Sequence, residues 1–230
     1  MSTRLVVDSD NQLHEFRENG FPSQPAVIRI AAKLVSYVFH PVFIPVYIIA
    51  FLLYVHPYLF AGFAKWDKTL VMIQSFIMFT FFPIVTVLLL KALKFINTIN
   101  LHSQRDRIIP YVACGIWYFW IWYVWRNLPD YPREAIVFAL AIFIASSIGL
   151  IANIYMKVSM HAISMGVMTA FILLLALNQP ISLGIYISLA LLIAGLVCTA
   201  RFIVSDHTPK EVYGGLLLGI LSQLIANWLG

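Results

Sequence analysis

IVFALAIFIASSIGLIAN, from Ile136 to Asn153, is a run of 18 residues without a charged side chain. An α-helix of this length is about 27 Å long, which nearly matches the hydrocarbon core of a lipid bilayer. Comparable apolar runs recur along the chain, with short polar or turn-forming segments between them. The sequence therefore predicts an all-α, polytopic transmembrane helical bundle of about six to seven spans. The candidate spans are residues 34–56, 69–90, 108–125, 136–153, 160–177, 181–200 and 211–229.

The composition supports one membrane domain. Of the 230 residues, 61% are hydrophobic and only 11% are charged. The apolar residues come in long runs and not in short alternations, which disfavours a transmembrane β-barrel. We expect a polar, soluble tail over residues 1–33 and a transmembrane domain over residues 34–230. The His40-Pro41 pair interrupts the first span, so this span is expected to be bent or partly interfacial.

The charges and cysteines limit the partners. The formal net charge is +5, but the basic residues are scattered among membrane loops, which favours anionic lipid headgroups or an anionic substrate over nucleic acid. Cys114 and Cys198 both fall inside apolar spans, so we expect neither a disulfide nor a metal site from them. The sequence does not specify an oligomeric state.

Basic residues also indicate an orientation. With seven spans, the tail and the loops at 91–107, 154–159 and 201–210 lie on one side, and this side carries eleven of the 15 lysines and arginines. The positive-inside rule then places this side in the cytoplasm, for a protein of the plasma or inner membrane.

Two patterns predict packing and membrane contact. WYFWIWYVW, from Trp117 to Trp125, is typical of an aromatic belt on a lipid-facing helix. Gly215 and Gly219 are spaced by four residues on the last span, so they predict close helix packing within the bundle.

The first of three polar clusters is HSQRDRIIP, which contains His102, Arg105, Asp106 and Arg107 directly before the third span. One interpretation is a positively charged membrane flank with snorkelling arginines. The other is a fork of guanidinium groups for phosphate oxygens, which arginine binds in a bidentate manner.

The second cluster is KVSMH, with Lys157, Ser159 and His161 at the entry to the fifth span. A single histidine at the membrane edge is commonly a hydrogen-bonded packing residue. The combination with a hydroxyl and an ammonium group, however, suits an anionic oxygen ligand and a proton donor.

The third cluster is RFIVSDHTPKEVYGG, from Arg201 to Gly215. Thr208, Pro209 and Glu211 form a T-x-x-E capping box with proline at the first helical position, which by itself explains Glu211. The box does not explain Arg201 or His207. It also creates a helix N-terminus on the polar face, where free N–H groups favour an anion.

The spacing of Arg201, His207 and Glu211 resembles S-R-x5-H-x3-D, the third signature of the type 2 phosphatidic acid phosphatase superfamily. Ser159-Met160-His161 resembles the second signature, P-S-G-H, and precedes the third in the chain as in that family. Ala200 stands where serine is usual, and Glu211 stands where aspartate is usual. The first signature, K-x6-R-P, has no clean match, because Asn100 lies seven residues before Arg107.

The resemblance implies an integral-membrane, metal-independent phosphatase without a cofactor. It would hydrolyse a lipid phosphate, either a phosphatidate-type monoester or a prenyl phosphate or diphosphate, through a phosphohistidine. It implies that His207 is the nucleophile, that Glu211 orients it and that His161 is the general acid. The implied phosphate-binding residues are Arg201, Ser159 and one or both of Arg105 and Arg107.

Two other functions remain open. A catalytically silent lipid-phosphate binder or membrane scaffold would also fit the departures from the signatures. A transporter has little support, because the charged residues cluster at one face and not near the bilayer midplane.

Overall fold

The chain forms a bundle of helices long enough to cross a membrane. A computed structural model describes residues 4–7, 13–16, 24–96, 104–204 and 207–230. Within these ranges, six helical segments are sufficiently long and apolar to span a bilayer, which confirms the predicted all-α, polytopic architecture. The six segments are Lys65–Ala92, Gln104–Arg126 (α5), Arg133–Tyr155 (α6), Met160–Asn178 (α7), Gly184–Val204 (α8) and Pro209–Leu229 (α9).

The first predicted span is broken into two helices. Helix α1 covers Ala26–Val38, and helix α2 covers Ile44–Ala50 and continues as a π-helical turn, Phe51–Val55. The break coincides with His40-Pro41, because proline has no N–H group and disfavours helical geometry in the residue before it. Helix α1 begins within the predicted tail, eight residues before the expected first span.

The described part of the tail contains a small hairpin that the sequence analysis did not predict. Strands β1, Arg4–Val7, and β2, Leu13–Phe16, pair in antiparallel register, with Arg4 opposite Phe16 and Val7 opposite Leu13.

The longest helical segment contains a second π-helical turn. Helix α3, Lys65–Phe76, passes through Ile77–Phe81 into helix α4, Phe82–Ala92. This segment packs on α5 through the aromatic run of the predicted belt. Trp117 stacks on Phe82 with ring centroids 4.3 Å apart, and Trp125 is fully buried, with its Nε1 donating to Gln74 at 2.8 Å. The belt is therefore only partly lipid-facing, with Trp120 among its exposed members.

Helices α7 and α9 form the closest pair in the bundle. Gly215 lies where an added Cβ would be 2.8 Å from the carbonyl oxygen of Ser159, and a Cβ on Gly219 would overlap the carbonyl oxygen of Ile163. Gly166 of α7 meets the backbone of α9 at Leu216 in the same way. The predicted close packing at Gly215 and Gly219 is confirmed, and it holds the beginnings of α7 and α9 side by side.

Candidate active site

His207 and Glu211 form a buried pair at the beginning of α9. The His207 Nδ1 lies 3.2 Å from Glu211 Oε2, and both residues are less than a tenth exposed. They are four residues apart, so the first turn of the helix brings the two side chains together. A carboxylate at Nδ1 favours the tautomer with the proton on that nitrogen, which leaves the lone pair on Nε2.

Glu211 is also the last residue of the predicted T-x-x-E capping box, at the third position of α9, and the structure contains this box. The Thr208 nitrogen donates to Glu211 Oε2 at 2.9 Å, and the Glu211 nitrogen donates to Thr208 Oγ1 at 3.4 Å. One carboxylate oxygen therefore caps the helix and contacts the imidazole. The capping and orienting roles are compatible in the same geometry.

The two arginines of the first cluster lie on different sides of α5, one buried and one exposed. Arg107 is buried, and its Nη1 donates to the carbonyl oxygen of Val158 at 2.8 Å, next to Ser159. Its charge also interacts with the Glu211 carboxylate. Arg105, two residues earlier on α5, is exposed. Of the two predicted phosphate ligands, only Arg107 therefore lies beside the His207–Glu211 pair.

Ser159, at the beginning of α7, contacts Glu211 of the His207–Glu211 pair. It is fully buried and caps the N-terminus of α7, with Oγ accepting from the Ala162 nitrogen at 3.4 Å. Its backbone nitrogen donates to the Glu211 carbonyl oxygen at 3.1 Å. The cap uses the Ser159 oxygen only as an acceptor, so the hydroxyl proton is not committed to this hydrogen bond.

His161 and Arg201 both contact helix α1. The His161 Nε2 lies 3.1 Å from the carbonyl oxygen of Ser36, and the Arg201 Nη1 donates to Ser36 Oγ at 3.4 Å. The ring of His40 packs edge-on against His161 with centroids 5.1 Å apart. With Nε2 on a carbonyl, Nδ1 is the His161 nitrogen left for proton transfer.

Burial and the neighbouring charged groups together set the pKa of His207. Burial lowers the pKa of His207 below its ordinary value of 6.5. The hydrogen bond to Glu211 opposes this shift, whereas the charges of Arg107 and Arg201 reinforce it. The net direction keeps the imidazole neutral at pH 7, the form that has a lone pair for nucleophilic attack.

Sequence reasoning missed two members of this site and named two residues that cannot be placed. Ser36 carried no sequence signal, and His40 was noted only as part of a helix break. His102 and Asp206, which belong to two of the polar clusters, lie outside the described residues. Across 24–96, 104–204 and 207–230, no three histidine, cysteine or acidic side chains are grouped to hold a metal ion.

The comparisons with known proteins gave no relatives: no family model, curated protein or solved structure matches this chain.

Proposed function

We propose that this protein is an integral-membrane phosphatase that removes phosphate from a lipid phosphate through a phosphohistidine on His207. The observation that carries the proposal is the buried His207–Glu211 pair, flanked by Arg107 and Arg201. This arrangement combines an oriented neutral nucleophile with fixed positive charge, the two requirements for attack on a phosphate dianion.

In the first step, the lone pair of His207 Nε2 attacks phosphorus, and the bond from phosphorus to the alkoxide oxygen breaks. Nδ1 stays hydrogen-bonded to Glu211, whose negative charge offsets the positive charge that develops on the ring. His161 starts as the doubly protonated imidazolium and gives its Nδ1 proton to the departing alkoxide, which leaves as an alcohol. Arg107, Arg201 and the Ser159 hydroxyl hold the equatorial phosphate oxygens.

In the second step, water attacks phosphorus from the side opposite the His207 nitrogen, and the P–N bond breaks. Neutral His161 takes a proton from that water as it attacks, so both histidines return to their starting states. The products are inorganic phosphate and an alcohol, or inorganic phosphate and a prenyl phosphate when the substrate is a diphosphate. The charge-neutralising role belongs to the arginines, so we propose a reaction that is independent of metal ions.

The substrate is proposed to be a lipid because the site lies at the end of a membrane bundle. A phosphatidate-type monoester and a prenyl phosphate or diphosphate present the same phosphate group from the lipid interface. The excess of lysine and arginine on the side of the site favours a cytoplasmic site in the plasma or inner membrane.

The direct test is release of inorganic phosphate by the purified protein in detergent, with EDTA present. The panel contains phosphatidate, phosphatidylglycerophosphate, and prenyl mono- and diphosphates. We expect release from at least one of them to survive the chelator. A folded protein that releases phosphate from none of them would contradict the proposal.

A silent lipid-phosphate binder is the second candidate. It is favoured by the capping roles of Ser159 and Glu211, since both residues have a structural reason to be present without catalysis. This function predicts saturable binding of a lipid phosphate with no phosphate release over long incubation. Sustained turnover excludes it.

Glu211→Gln should separate orientation of the nucleophile from capping. Glutamine is accepted at this position of a capping box, so we expect thermal stability to change little. We expect the rate to fall by about 10²-fold or more, because a neutral amide no longer offsets the charge on His207.

Glu211 raises the His207 pKa, so its loss lowers that pKa further. Activity requires the neutral ring, and the acidic limb of the pH–rate profile should therefore move to lower pH. A limb that moves to higher pH, or lost stability with an unchanged rate per folded molecule, would favour the capping role alone.

Arg107→Gln and Arg105→Gln form a matched pair on the first turn of α5. We expect the Arg107 variant to lower kcat/KM by about 10²-fold, because it removes a fixed charge and a donor beside the phosphate. The Arg105 side chain is exposed, so its variant should stay within about threefold of the parent protein. Kinetics on the best substrate of the panel, with melting temperatures for both variants, provide the measurement. Equal losses in the two variants would mean that the basic segment acts only as a membrane flank.

A further inference from the structure

Helix α1 ends in a way that leaves a backbone acceptor beside the candidate site. In a continuous helix the N–H of His40 would bond to the carbonyl of Ser36, four residues earlier. Pro41 disfavours helical geometry at His40, and α1 ends at Val38. The Ser36 carbonyl is one of the last four of the helix, which need partners from outside it. Its partner is the Nε2 of His161, at 3.1 Å.

Ser36 contacts a second site residue through its side chain. The residue is 7% exposed, and its hydroxyl accepts a hydrogen bond from Arg201 Nη1 at 3.4 Å. His161 belongs to α7 and Arg201 to α8, so one residue of α1 holds groups from two other helices. Helix α1 packs along α8, which fixes Ser36 at this place.

His40 completes the contact with His161. Its Nδ1 accepts from the Val42 nitrogen at 3.5 Å, within the turn that follows α1. The ring then meets His161 edge-on at an interplanar angle of 82°. The turn itself is anchored to the bundle, because Thr80 Oγ1 donates to the Val42 carbonyl oxygen at 2.7 Å. A carbonyl and a ring from the first span therefore contact His161 from two directions.

We propose that the end of α1 and the turn after it are part of the site, with Ser36 and His40 as the residues that position Arg201 and His161. This inference rests on the proposed phosphatase function and assigns it two further residues. Neither residue contacts the reacting atoms in this role. Ser36 sets the guanidinium of Arg201 for phosphate binding, and His40 sets the imidazole of His161 for proton donation.

The two roles have different kinetic signatures. A phosphate-binding group acts on every substrate, whereas a proton donor matters most for a poor leaving group. An alkyl phosphate releases an alkoxide and needs the proton. An aryl phosphate with an acidic phenol as leaving group needs it far less. The ratio of alkyl to aryl turnover therefore reports on His161, and the KM for both substrates reports on Arg201.

Ser36→Ala tests the contact with Arg201. We expect KM to rise about tenfold for alkyl and aryl substrates alike, with kcat nearly unchanged, because a hydrogen bond to a charged group is lost. Ser36→Thr keeps the hydroxyl and should restore the parent KM. Ser75→Ala is the matched control, since Ser75 is buried and its hydroxyl bonds within its own helix. An unchanged KM in Ser36→Ala would overturn this part of the proposal.

His40→Leu tests the contact with His161. We expect alkyl phosphate turnover to fall by about 10²-fold while aryl phosphate turnover is largely kept. His40→Phe restores an aromatic edge and should recover most of the alkyl turnover. Equal losses on the two substrates, or no loss, would contradict a positioning role for His40.

Two measurements on the full-length protein in detergent do not require turnover. Histidine ¹⁵N NMR should show a proton on His161 Nε2, as its contact with the Ser36 carbonyl oxygen requires, and His40→Leu should broaden or shift that signal. Inorganic phosphate should raise the melting temperature of the parent protein, and less so in Ser36→Ala. If no substrate is hydrolysed but both results hold, the catalytic proposal fails and the positioning inference stands. A His161 Nε2 without a proton, or equal stabilisation of the parent and Ser36→Ala by phosphate, overturns the inference.

Discussion

His207→Ala is expected to abolish phosphate release, with a loss of about 10⁴-fold or more, as is typical when a covalent nucleophile is removed. The variant should remain folded, because His207 precedes the N-cap residue Thr208 and takes no part in the capping box. Lys210→Ala is a suitable control on the same turn, since Lys210 is exposed. The measurement is phosphate release from the substrate panel, with melting temperatures for all three proteins.

The same variant tests the intermediate. Rapid quenching of the parent protein with a labelled lipid phosphate should trap an acid-labile, base-stable phosphoprotein, which is the behaviour of a P–N bond. This species should be absent from His207→Ala. Undiminished hydrolysis in the variant would rule out His207 as the nucleophile.

Gly219→Ala should have the largest effect on stability. Its new methyl group would overlap the backbone of α7 at Ile163, and a main-chain atom cannot move aside as a flexible side chain does. We expect a loss of about 3 kcal/mol in the free energy of unfolding, at the upper end of the usual cost of overpacking. Gly195→Ala is the matched control, because Gly195 lies in α8 with no atom near its missing Cβ. Thermal unfolding in detergent distinguishes the two variants, and equal melting temperatures would refute the close approach of α7 and α9.

Run length was sufficient to predict most of the membrane helices. Stretches such as Ile136–Asn153 are long and carry no charged side chain, and a helix satisfies their backbone groups in an apolar environment. The breaks were also visible where they depend on local chemistry, as at Pro41. The two π-helical turns were not predicted, because the length of an apolar run does not distinguish a π-helical turn from an α-helical one.

The sequence alone could not decide whether Arg105 or Arg107 faces the candidate site. Successive residues of an α-helix turn by about 100°, so two residues separated by one position point to nearly opposite sides. Only one of the two arginines can face the site, and the sequence does not reveal which side of α5 packs against α6. Packing of α5 against α6 and the contact of Arg107 with Val158 select Arg107.

The contacts of Ser36 could not be predicted from the sequence, for a related reason. Its role depends on a backbone carbonyl and on contacts with residues 125 and 165 positions away in the chain. No local pattern encodes such a contact. The candidate residues His161, Arg201, His207 and Glu211 were predicted because their order and spacing resemble known signatures.

The shared oxygen of Glu211 has a consequence for how proteins of this kind should be classified. Since Oε2 both caps α9 and contacts His207, selection for folding alone would retain a glutamate or a glutamine at position 211, with or without the proposed catalysis. The His207 imidazole takes no part in the capping box of α9, so selection for folding would not prevent its substitution. Under the proposed function, a histidine at position 207 would therefore distinguish active homologues from inactive ones, whereas the capping residue at position 211 would not.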